Sequence, residues 1–267
     1  MVEFILNADT TKYDPRNAYA LGQMADLAYA TPAKVAATTK EWGFSRSQFF
    51  SRKDTQAFLA GNDRIVILAF RGTEPTDLHD WLTDAEFDLA PNPWGQVHDG
   101  FQRALSYVWR DIRALLPDYQ DKGQALWVTG HSLGAALATL AVASLRQEDK
   151  PVYGLYTFGQ PRTGDRTFAD RFNADFQARA FRFVNQEDIV TRVPMRLFNY
   201  SHVGTYLYLS AEGKISDDMA SWFRFLDCAK AALPDLLDMK MDALADHSMT
   251  NGYLPKLAKN VTFNPFR

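Results

Sequence analysis

Residues 125–138 read Ala125-Leu126-Trp127-Val128-Thr129-Gly130-His131-Ser132-Leu133-Gly134-Ala135-Ala136-Leu137-Ala138. The apolar segment Leu126, Trp127 and Val128 has the composition of a buried strand. Behind it, Gly130 and Gly134 bound a turn, and the following run interleaves Ala141 and Ala143 with Leu140 and Leu145 as a close-packed helix does. Strand, sharp turn and small-residue helix together are the setting in which G-x-S-x-G presents its serine as a nucleophile. A Cβ at either glycine would collide with neighbouring chain. At the mouth of a helix the serine also meets free N–H groups able to stabilise a developing oxyanion. Ser132 is the candidate nucleophile, and the strand–turn–helix around it points to an α/β architecture.

Working outward, the flanking sequence alternates strand and helix patterns. Upstream, apolar residues recur at helical spacing over 15–29, with Pro15 where a first turn tolerates it. Two β-like runs, 55–60 and 64–70, are separated by Gly61-Asn62-Asp63, a hairpin signal. The second is apolar throughout, as a strand covered on both faces should be. A short amphipathic helix is expected over 78–87, then loop chemistry at 91–95, and a helix over 100–116 ended by Pro117. Downstream come a strand at 152–158, a helix carrying Phe168, Phe172 and Phe176, a short strand at 181–184 and another at 206–209. This alternation predicts a mostly parallel central sheet with helices on both faces, in a single domain spanning 1–267.

The 267 residues suffice for one large core. A net charge of −3 without a basic stripe argues against a nucleic-acid partner. Cys228 is the only cysteine, so no intrachain disulfide is expected. The Met1-Val2-Glu3-Phe4 start lacks the basic and apolar regions of a leader peptide. These two features give an expectation of a cytoplasmic protein, with leaderless secretion as the alternative. No apolar run reaches bilayer-spanning length, and no metal or cofactor is called for by the motifs.

A serine hydroxyl needs a base, and the base needs a carboxylate that fixes its tautomer. In α/β-hydrolases these follow in the order Ser, acid, His. Asp188, just past the 181–184 strand in a polar turn, fits the acid, with Glu187 as its competitor. Two histidines follow Ser132: His202, early for a base, and His247, where a loop meets a helix. His131 reads as structural. Thr73, in the turn that ends the 64–70 strand, is placed to be one oxyanion donor, and the Leu133 N–H to be the other.

Six blocks then resemble the class 3, fungal-type lipases of the α/β-hydrolase superfamily. They are Phe70-Arg71-Gly72-Thr73, Asp80-Trp81-Leu82-Thr83-Asp84, Val97-His98-Asp99-Gly100-Phe101, Gly130-His131-Ser132-Leu133-Gly134, Phe158-Gly159-Gln160-Pro161-Arg162-Thr163-Gly164 and Asn185-Gln186-Glu187-Asp188-Ile189-Val190. The match runs over about residues 60–255. The resemblance implies an α/β-hydrolase fold, hydrolysis of acylglycerol esters at a lipid–water interface, a Ser132–Asp188–His247 triad and an oxyanion hole of Thr73 with Leu133. It makes His202 structural, and it implies a lid over about 76–90 with Leu78, Trp81 and Leu82 facing substrate. A second cap over about 213–245 is a further expectation from the apolar residues there. Phospholipase A1, an aryl (feruloyl-type) esterase and an inactive binding module are the rival readings.

Overall fold

Ile65–Phe70 is buried at all of its positions, and both of its faces are covered by helices. The computed structural model describes residues 4–74, 87–186, 188–217 and 246–261. Helices α1 (Pro15–Leu27) and α2 (Pro32–Glu41) precede strands β1 (Arg46–Arg52), β2 (Thr55–Gly61) and β3 (Ile65–Phe70). The pair β4 (Leu89–Asn92) and β5 (Gly95–His98) leads into α3 (Asp99–Tyr119), β6 (Ala125–His131) and α4 (Leu133–Gln147). Then follow β7 (Gly154–Phe158), β8 (Gly164–Asp165), α5 (Arg166–Phe176) and β9 (Ala180–Asn185). The last described elements are β10 (Tyr200–Ser201), β11 (Thr205–Leu209), β12 (Ile215–Ser216) and α6 (Leu254–Ala258).

The main sheet runs β1-β2-β3-β6-β7-β9-β11-β12. Its centre, β3 to β11, is parallel, and its two edges are antiparallel. Alternation along β3 divides the core. Val66, Leu68 and Phe70 join Phe101, Val108 and Ile112 of α3 and Leu137 and Ala141 of α4 on one face. Ile65, Ile67 and Ala69 join Leu21, Met24 and Ala25 of α1 and Leu257 of α6 on the other. The alanines of α4 let that helix lie close against the sheet, and Ala135, Ala136, Ala138 and Ala141 are fully buried. This is the expected α/β architecture.

Several local expectations are corrected. Pro117 does not end α3, which continues to Tyr119. In the final turn a proline forfeits one intrahelical bond without breaking a run that continues beyond it. Residues 91–95 are not a plain loop, since Leu89–Asn92 pairs with Gly95–His98 and joins β8 and β10 in a small second sheet. The unanticipated elements include β1 and α2. The edge strand β1 is too polar to read as a strand, and α2 buries only Val35, Thr38 and Thr39. Of the expected lid, 76–86 lies outside the described residues, including Leu78, Trp81 and Leu82. Residues 89–90 belong to β4. Of the expected second cap, 218–245 lies outside the described residues, and Ile215–Ser216 is instead a strand on β11.

Register positions the site. Phe70 of β3 is level with Gly130 of β6, His131 with Phe158 of β7, and Phe158 with Phe183 of β9. The carboxyl ends of four neighbouring strands therefore share one rim, where ligands bind in open α/β sheets.

Candidate active site

Ser132 sits between β6 and α4 with φ 57° and ψ −130°, a conformation that L-residues avoid. The turn survives because its surroundings leave no room for side chains. A Cβ on Gly130 would lie 2.8 Å from the Ala135 nitrogen, and one on Gly134 would lie 2.7 Å from the Arg71 carbonyl carbon. The Ser132 N–H donates to the Phe158 carbonyl at 3.0 Å, tying the turn to the end of β7. Leu133 is the first residue of α4, so its N–H has no acceptor within the helix.

The loop after β3 runs against this turn. A Cβ on Gly72 would stand 2.9 Å from Ser132 Cβ, so the approach requires glycine there. The Arg71 N–H donates to the Gln56 carbonyl at 3.0 Å, and its guanidinium contacts the Gln56 side chain and Glu74. Thr73, partly buried, follows directly. The packing of Gly72 sets the loop that carries Thr73 against Ser132.

Asp188 begins just beyond β9 and is fully buried. Its N–H donates to the Asn185 carbonyl at 2.9 Å, and its Oδ1 accepts the Val190 N–H at 3.0 Å. His247 is 4 % exposed, and its Nδ1 lies 2.9 Å and 3.0 Å from the two oxygens of Asp188. Facing Asp188 through Nδ1 leaves Nε2 on the other side of the ring. His247 Nε2 and Ser132 Oγ are both buried without a hydrogen-bond partner among the described residues. Gly159, next to the Phe158 that binds the Ser132 amide, touches this pair: its Cβ would lie 2.8 Å from Asp188 Oδ2 and from His247 Nδ1. Serine, histidine and aspartate thus gather at one rim.

The competing candidates separate. Glu187 lies outside the described residues. His202 is tied to the Thr191 carbonyl through Nε2 at 2.9 Å, and burial, with nearby Arg182 and Arg162, holds it well below the usual histidine range. Burial, then the neighbouring His247, likewise holds His131 uncharged.

Two tyrosines and an asparagine belong to the site without having been singled out. Tyr253 donates to Asp188 Oδ2 at 2.5 Å and accepts the Asn185 N–H at 3.1 Å. Burial, then the Asp188 charge, raises its phenol well above the ordinary value, so it remains a donor. Asn185 also holds the chain before His247, donating from Nδ2 to the Asp246 carbonyl at 2.7 Å. Tyr29 meets His131 Nδ1 at 2.8 Å. No local pattern marks these residues, since each partner is distant in the chain. Among the described residues no group of His, Cys, Asp and Glu is arranged to hold a metal.

Comparison with known proteins places this geometry in context. The sequence model of one family, lipase (class 3), matches residues 67–198. A secreted mono- and diacylglycerol lipase A of Penicillium cyclopium is 30 % identical over 195 residues, covering 67 % of this chain and 58 % of the relative. A lipase of Rhizomucor miehei is 30 % identical over 193 residues, covering 68 % of this chain and 52 % of the relative. The chain thus spans somewhat over half the length of these relatives. The solved Rhizomucor miehei lipase–propeptide complex superposes with a TM-score of 0.63 at 26 % identity, covering 72 % of this chain and 66 % of that one. The expectation of a cytoplasmic protein is withdrawn, because similar proteins are named as secreted. It rested on the lone cysteine and on the Met1-Val2-Glu3-Phe4 start; a core of this size folds without disulfides, so the cysteine count says nothing of compartment.

Proposed function

The chain belongs to the class 3 lipase family of α/β-hydrolases, and from that premise we propose that it is a serine lipase cleaving the carboxylic ester bonds of acylglycerols. The observation that carries this reading is the buried Asp188–His247 pair, whose free Nε2 shares the rim with an unpartnered Ser132 hydroxyl. Asp188 accepts the Nδ1 proton of His247, which leaves Nε2 as the basic nitrogen. His247 takes the Ser132 proton as Oγ attacks the ester carbonyl, and Asp188 stabilises the imidazolium that forms. The Leu133 N–H and Thr73 receive the tetrahedral oxyanion. His247 then protonates the departing alcohol, and a water that it deprotonates releases the fatty acid from Ser132.

In this reading residues 1–267 form one catalytic domain acting at a lipid–water interface, with no nucleic-acid partner. Leu78, Trp81 and Leu82 supply the apolar side chains of a lid over about 76–90. A rate that jumps as a short-chain ester passes its solubility limit supports that lid, and smooth saturation removes it.

Labelling with a fluorophosphonate, followed by a panel of glycerides and phospholipids, tests the function. Rapid modification at Ser132, lost in Ser132→Ala, with preference for glycerides is expected. An unlabelled Ser132 overturns the reading, and preference for phospholipids replaces the substrate class.

A further inference from the structure

The mechanism above uses neither Tyr29 nor His131, yet both lie between its two moving parts. His131 Nε2 is 2.6 Å from the carbonyl oxygen of His247, the backbone of the base itself. A carbonyl only accepts, so Nε2 carries the hydrogen. His131 is neutral, which leaves Nδ1 bare, and the Tyr29 hydroxyl 2.8 Å away is its donor. Burial pushes that phenol well up, so the hydroxyl keeps its proton. At the far end Tyr29 packs against the loop after β3, with the Arg71 guanidinium over its ring at 5.6 Å. Gly72 approaches so closely that a Cβ there would run into the hydroxyl. The rings of His131 and His247 also pack together, with centroids 4.3 Å apart and planes tilted by 35°.

One line of contacts therefore runs from the residue before Thr73, packed on the Tyr29 hydroxyl, through the hydrogen bonds of Tyr29 and His131 to the main chain of His247. We propose that Tyr29 and His131 are positioning residues, a brace holding the oxyanion loop and the catalytic base in one frame around Ser132. The proposal rests on the serine-lipase reading. Polar contacts fix the chain at and just before His247. Asn185 and Gln186 hold Asp246 at 2.7 and 2.8 Å, and His131 holds His247. A buried polar bridge is costly unless every member is satisfied, and here each end lands on one half of the reacting geometry. The brace sets where Nε2 and the oxyanion donors stand and takes no proton from the substrate.

Three variants test it: Tyr29→Phe, His131→Phe, which keeps a ring without either bond, and His131→Gln, which restores a donor toward the His247 carbonyl. The readouts are kcat and KM on a soluble short-chain ester, the fluorophosphonate labelling rate, and the melting midpoint. Tyr29→Phe and His131→Phe should lower kcat and labelling on the order of 10- to 100-fold with KM near the parent value, the scale of a small misplacement of reacting groups. His131→Gln should recover a large part of that loss. Parent-like kcat and labelling in both phenylalanine variants overturns the brace. So does a loss that follows the melting midpoint and is not recovered by His131→Gln. Should His131→Phe not fold, Tyr29→Phe, which removes one oxygen, decides alone. A parent that does not label defeats the serine reading, and the brace with it, and the parent measurement alone reveals that.

Discussion

The Tyr253 hydroxyl stands 2.5 Å from Oδ2 of Asp188, while His247 Nδ1 stands 2.9 Å from Oδ1. With the Val190 N–H also on Oδ1 at 3.0 Å, three donors converge on one buried carboxylate. Such satisfaction is what allows a charge to sit in the core beside His247. It also fixes the plane of the carboxylate, and through it the orientation of the imidazole.

Tyr253→Phe should therefore weaken both folding and turnover. Losing a hydrogen bond to a charged group lowers unfolding free energy by about 1.5–3 kcal/mol. Urea denaturation measures that loss, and steady-state kinetics should register a lower kcat with KM little changed. A variant as stable and as fast as the parent would show that the phenol contributes nothing to Asp188.

Gly159→Ala should be far more damaging than an added methyl normally is. Gly159 has φ +58°, and its new Cβ would lie 2.8 Å from Asp188 Oδ2 and from His247 Nδ1 and Cε1. Neither backbone nor neighbours can relax without parting the pair. Activity on a soluble ester should fall by on the order of 100-fold, as expected when reacting groups are displaced. The melting midpoint should fall with it.

Ser132 should trade stability for function. Its positive φ costs of order 1–3 kcal/mol for a residue with a Cβ. Ser132→Gly removes that strain and Ser132→Ala retains it. Both should be inactive, yet the glycine variant should melt at a higher temperature than the alanine variant. Equal midpoints would mean that the turn stores no strain.

Acid should destabilise the fold well above the carboxylate range. His98 is 5 % exposed and stacks on Phe101 at 4.0 Å between ring centroids. Burial carries it down from 6.5 to about 4, against the opposing charges of Asp99 and Asp88. The folded state then binds fewer protons than the unfolded chain between these values. The contribution is complete above pH 6.5 and is lost as pH falls toward 4. One such group accounts for at most about 3 kcal/mol, and His131 and His202, both held low, act in the same direction. His98→Phe keeps the stack, so its urea midpoint should fall less steeply with pH across that window. An unchanged slope would remove His98 from the account.

The legible parts of this protein are those whose cause is local. Apolar residues at every position of Ile65–Phe70 imply a strand covered twice, and it is. The glycines around Ser132 imply a turn too tight for side chains, and the space at Gly130 and Gly134 bears that out. Where local signals were weak the reading failed. The strand Arg46–Arg52 is a polar edge strand without clean alternation, and α2 buries too little to produce a helical stripe.

By itself the sequence determined the α/β pattern and the residue types able to attack, accept a proton and hold a charge, because backbone preference and periodicity act over a few neighbouring residues. Only the tertiary structure decided which of them meet. Tyr253 reaches Asp188 across 65 residues, and Tyr29 reaches His131 across 102. Contacts at such separations follow from strand register and helix packing, and a side chain's own neighbourhood in the chain carries no trace of them.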